Sequence, residues 1–170
     1  ENSRYGHWTG FSKISDTAQS SMKYTIPLVF DDGTVYGVLG IGLMEKIILK
    51  NMPSNDFFSE CACYILGLDD DNDGEYSVVM HSGAVFTKLV DENTVISKEN
   101  KVKGDIYNFN PDGKIKSVGN IQQMNIYTSD SPYKNQKWAL ISIAEKSKVL
   151  NIYTTLIKLF VISSIISMVF

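Results

Sequence analysis

Catalytic signatures are missing from this chain. It has no G-x-S-x-G elbow, no P-loop, no H-E-x-x-H and no G-x-G-x-x-G. Its two histidines, His7 and His81, have no metal-ligand spacing and no recognisable nucleophile beside them, and paired acids occur only in turns. These absences argue against an active site within the 170 residues. Cysteine is scarce, with only Cys61 and Cys63. On a strand, residues two apart share a face, where a disulfide between them would be strained. The pair therefore reads as two buried thiols, and a zinc site would need more ligands. There is no basic excess: the net charge is −3, which leaves nucleic-acid binding unsupported. Glycine and proline are absent from 138 to 170. The start lacks both Met and the basic-then-apolar pattern of a signal peptide.

What is present is uneven along the chain. The first 150 residues or so resemble soluble protein, within a chain that is 21% charged and 44% hydrophobic. Residues 159–170 read LFVISSIISMVF, without a charge. In a helix this run spans roughly 18 Å, against a bilayer core of roughly 30 Å. It is expected to be the start of a transmembrane helix, truncated here, in an interior fragment of a longer membrane protein. Lys158 would snorkel to the headgroups at the outer boundary, with Tyr153 as an interfacial anchor.

The folded part predicts an α+β domain. Residues 22–30 and 34–43 flank Asp31-Asp32-Gly33 as a hairpin, and 44–52 reads as a short amphipathic helix stopped at 53–56. The pattern restarts with strands at 61–68 and 76–83 around the acidic turn at 69–75. Residues 84–120 are mixed, with turns at 91–93 and 110–113 and a weak helix near 86–91. Strands follow at 121–128 and 138–144 around the polar loop 129–137, and a helix opens at Glu145-Lys146. The two hairpins share one plan: strand, turn, aromatic-led strand, and a helix entered through Glu-Lys. Two tandem modules are expected, the first incomplete.

Three groups are candidate sites. Asp69, Asp71, Asp73 and Gly74 match the opening of an EF-hand loop, but the twelfth position is Met80 where a bidentate Glu is required. The plainer reading is a solvated hairpin turn, with a weak calcium site as the alternative. Trp8 and Tyr24 sit on the first sheet, where they either fill core or stack on a small ligand. Gln123, Asn125 and Tyr127 share one strand face by alternation, either exposed or lining a polar pocket. No cofactor and no metal is expected beyond that calcium alternative.

YTIPLVFDDGTVYGVLGIGL (24–43) resembles the closing hairpin of the membrane-distal half of a double Cache sensor domain. IYTSDSPYKNQKWALISIAEKSKVL (126–150) resembles the end of the membrane-proximal half, and YGHWTGF (5–11) the aromatic strand before the hairpin. The resemblance implies PAS-like antiparallel sheets with flanking helices. Residues 1–43 would close the distal module, 44–56 link, 57–144 form the proximal module, and 145–170 be the exit helix. It further implies an extracytoplasmic small-molecule sensor in the cell membrane, working as a homodimer. Its output would be a GGDEF diguanylate cyclase, or a histidine kinase or chemoreceptor. Two departures, Gly42 where amino-acid-binding members carry an acid and YGHWTGF in place of YxDxxTG, leave the ligand open. A spacer for a membrane-anchored enzyme and an adhesion module are the rival readings.

Overall fold

The structure is a computed structural model that describes residues 2–13, 20–52, 62–82, 90, 94–109 and 116–169. Cys61, the helix stop at 53–56, the expected helix near 86–91 except Val90, and the turns at 91–93 and 110–113 lie outside the described residues. A 3-10 turn (Asn2–Tyr5) leads into two short strands, β1 (His7–Trp8) and β2 (Ser12–Lys13). The aromatic strand expected over 5–11 is thus only two residues long. The hairpin follows as β3 (Ser20–Val29) and β4 (Val35–Met44). Gly33, at φ +88°, supplies the left-handed residue of the turn, and the Asp32 carboxylate accepts the Thr34 N–H at 2.8 Å. β3 is the centre of this four-stranded sheet, pairing β1, β2 and β4.

β4 is an edge strand with apolar side chains on both faces. Val35, Val38, Leu39 and Ile41 are each 59–65% exposed. The chain then enters α1 (Glu45–Asn51), the short helix that the amphipathic pattern predicts.

The larger sheet has seven antiparallel strands: β5 (Ala62–Asp69), β6 (Glu75–Ser82), β7 (Val95–Ser97), β8 (Lys101–Lys103), β9 (Ile106–Phe109), β10 (Ser117–Met124) and β11 (Lys137–Glu145). Their spatial order is β7-β6-β5-β11-β10-β9-β8. β11 lies in the middle, paired with β5 from Lys137 to Ala144 and with β10 from Trp138 to Glu145. Strand alternation, shifted in β6 by a bulge between Val78 and Met80, gives the sheet two apolar faces. One carries Cys63, Ile65, Tyr76, Val78, Ile96, Phe109, Ala139, Ile141 and Ile143, all buried. The other carries Leu66, Met80 and Trp138, and it packs on Met22, Met52 and the half-buried Trp8, Phe11, Leu43, Ile48 and Leu49. The small sheet and α1 therefore cover the second face of the large one. The molecule is α+β, as the sequence predicts, with the two sheets sharing a core.

β10 differs from expectation. It runs from 117 to 124 rather than 121 to 128, because pairing with β11 ends at Met124↔Trp138. Past β11, α2 (Lys146–Val169) continues for 24 residues, one residue later than the Glu145-Lys146 opening predicts. From Lys146 to Met168 it is long and apolar enough to cross a bilayer, and none of its most apolar window is buried.

Candidate functional site

The sheets meet at a cluster of rings. Trp8 on β1 stands against Tyr24 on β3, with ring centroids 5.0 Å apart. The Tyr24 ring lies so close over Gly6 that a Cβ there would collide with it. From the large sheet, the loop between β10 and β11 brings Tyr127 and Tyr133, 5.9 Å apart, and Tyr133 stacks on His7 at 4.3 Å. The Trp8 backbone N–H donates to the Tyr127 hydroxyl oxygen at 3.1 Å. That hydroxyl donates to Gln136 Oε1 at 3.2 Å, and Gln136 Nε2 donates to Asp70 Oδ1 at 2.9 Å. Burial pushes the Tyr127 phenol above its ordinary pKa, against the Trp8 N–H, which favours the phenolate. The Trp138 indole N–H lies near the same oxygen without reaching hydrogen-bond geometry and is buried without a partner.

The structure brings together Trp8, Tyr24 and Tyr127. It separates Gln123 and Asn125. Gln123 sits on the opposite face of the large sheet, where its Nε2 donates to the Tyr76 hydroxyl at 2.8 Å. Asn125 lies beyond the end of β10, exposed. The shared face expected for Gln123, Asn125 and Tyr127 required a strand through 128, and the strand stops four residues earlier.

The acidic turn is built on Asp69. This carboxylate is 2% exposed and accepts the N–H of Asp73 at 3.2 Å and of Gly74 at 3.0 Å. It is the keystone of the turn, with Asn72 and Gly74 in left-handed conformation. Asp70, Asp71, Asp73 and Glu75 rim an open hollow of about 210 Å³, and among the described residues no three acidic, His or Cys side chains converge as a metal site. A second open groove, about 270 Å³, lies where β11 passes into α2. Ala62, Tyr64, Val118, Gly119, Ser142, Ala144 and Val149 are among its lining residues.

No protein-family model matches the chain, and no curated protein matches it. Among solved structures it is similar to the periplasmic domain of RsbU from Chlamydia trachomatis. The identity is 12%, covering 89% of this chain and 59% of that one, with a TM-score of 0.47. It is also similar to the periplasmic sensory domain of the Campylobacter jejuni chemoreceptor Tlp1. Here the identity is 14%, the coverage 85% and 50%, and the TM-score 0.46. The chain thus spans between half and three fifths of those two chains.

His7, Tyr133 and Gln136 were not legible as members of the ring cluster. The segment SDSPYKNQK reads as a polar loop, and its single aromatic residue was the available signal. Cys63 is a free thiol, buried on the first face, where desolvation pushes its pKa from 9.0 up to about 12.

Proposed function

We propose that this chain is an extracytoplasmic sensing module that relays small-molecule binding through α2 to a cytoplasmic output. One observation carries the reading. β11, the central strand of the large sheet, passes into an exposed apolar helix without a glycine or proline between Trp138 and Phe170. A shift of β11 against its neighbours therefore becomes a movement of the membrane helix, and a ligand drives it by its difference in affinity for the two positions.

The finer reading is a double Cache arrangement. Residues 1–43 would belong to a membrane-distal module, which accords with β4: a strand apolar on both faces is what an interior strand looks like. The ligand would act at the joint of the sheets, on the aromatic surface of Trp8, Tyr24 and Tyr127. The whole protein would be a homodimer, and its output a diguanylate cyclase or, failing that, a kinase or chemoreceptor module.

The test is a flexible Gly-Ser insertion between Ala144 and Glu145 in the membrane-embedded protein. Output, read as cyclic-di-GMP synthesis or phosphotransfer, is expected to lose its dependence on ligand while binding persists. Unchanged, ligand-dependent output would remove transmission through α2 and leave a spacer as the better reading.

A further inference from the structure

We infer that the loop from 125 to 136 is a relay that couples the small sheet to β11. The inference rests on the sensing reading for its purpose, and on geometry for its existence. Trp8 and Tyr127 are 119 positions apart in sequence and joined by a hydrogen bond of 3.1 Å. Apolar packing between sheets can slide, whereas a directional bond at that length fixes one position against the other. His7 against Tyr133 adds a second contact from the same two-residue strand, at 4.3 Å.

The loop is braced so that it can transmit. Ser131 N–H donates to the Thr128 carbonyl at 3.0 Å, Lys134 to Ser131 at 3.2 Å and Gln136 to Tyr133 at 3.0 Å. These are successive tight turns, not a slack connection. Gln136 is the last loop residue, and Lys137 begins β11. The amide of Gln136 spans from the Tyr127 hydroxyl to Asp70, beside Asp69, which is the β5 partner of Lys137. A displacement of β1 and β3 thus reaches the first residue of the strand that leads to α2. The same chain of contacts lets a change at β11 be felt at Trp8, since coupling is reciprocal.

Hydrogen exchange of the full chain in detergent micelles tests this without ligand or output. Tyr127→Phe keeps the ring and deletes the hydroxyl that accepts the Trp8 N–H and donates to Gln136 Oε1. Loss of these two bonds, partly offset by water, is worth roughly a tenfold change in opening. Roughly tenfold faster exchange is expected at 7–8 and 20–29 and also at 137–141, with 75–82 unchanged. Faster exchange confined to 7–8, or no change at all, would make the bond local and overturn the relay. Should Tyr127→Phe lose protection at 75–82 as well, His7→Ala, which spares Tyr127, is read by the same criterion. Spread to 137–141 together with an unaffected Ala144/Glu145 insertion would keep the relay and remove the signalling role. Confinement together with an uncoupled insertion would do the reverse.

Discussion

At the scale of single residues, the large sheet is held by positions where no alternative side chain fits. Gly119 on β10 faces Ile143 on β11, and a Cβ there would run into the Ser142 carbonyl oxygen. Gly119→Ala should force the two strands apart and cost about 2 kcal/mol, the ordinary penalty for overpacking. Chemical denaturation of the chain in micelles would measure it, and an unchanged midpoint would refute the close approach. Cys63 offers a second check. Its folded pKa of about 12 lies above the ordinary 9.0, so its thiol contributes stability that is complete below pH 9 and is lost as pH climbs toward 12. In a Cys61→Ser background, a thiol reagent at pH 8 should label Cys63 only after unfolding. Rapid labelling of the native protein would contradict its burial. The acidic motif illustrates how one residue can change a reading. Asp69 looks like the first calcium ligand in sequence, and in the fold both its oxygens accept backbone N–H groups of its own turn.

At the scale of elements, α2 stands apart from everything else. Its helix of 24 residues is about 36 Å long, enough for a bilayer core of roughly 30 Å. Its side chains are mostly exposed, with Leu159, Phe160 and Ile166 each more than half open to solvent. A version ending at Ser147 should be soluble in plain buffer with an unfolding midpoint close to that of the full chain, and the full chain should require detergent. Monomeric full chain in buffer would sink the membrane reading of α2. The hairpins were legible because their turns announce themselves, through Asp-Asp-Gly and the acidic run to Gly74. β10 was misplaced by four residues because its register is set by β11 across the sheet, which the local sequence does not encode.

At the scale of the whole molecule, the large sheet carries a buried apolar cluster on each face, and the small sheet packs on one of them. Ile65 and Leu66 are neighbours in sequence that point into different cores. Both should be expensive to truncate, about 2–5 kcal/mol each by cavity formation. Only Leu66→Ala should also loosen the small sheet, read as faster exchange over 20–29, because Leu66 packs on its side. Equal loosening by Ile65→Ala would mean the two cores are one. The amino-acid sequence alone determined the α+β class, the two hairpins, α1 and the apolar helix, since these follow from local periodicity and turn chemistry. It also marked Trp8 and Tyr24 as aromatic candidates, and Tyr127 as one of a polar row with Gln123 and Asn125. It could not place Tyr127 beside Trp8, seat Tyr133 on His7, or send Gln123 to the other face. Those outcomes depend on where β10 ends and on which face of the large sheet the small one covers. The first is set by pairing with β11, which ends at Met124↔Trp138, and the second by contacts such as Trp8 with Tyr127, 119 positions apart.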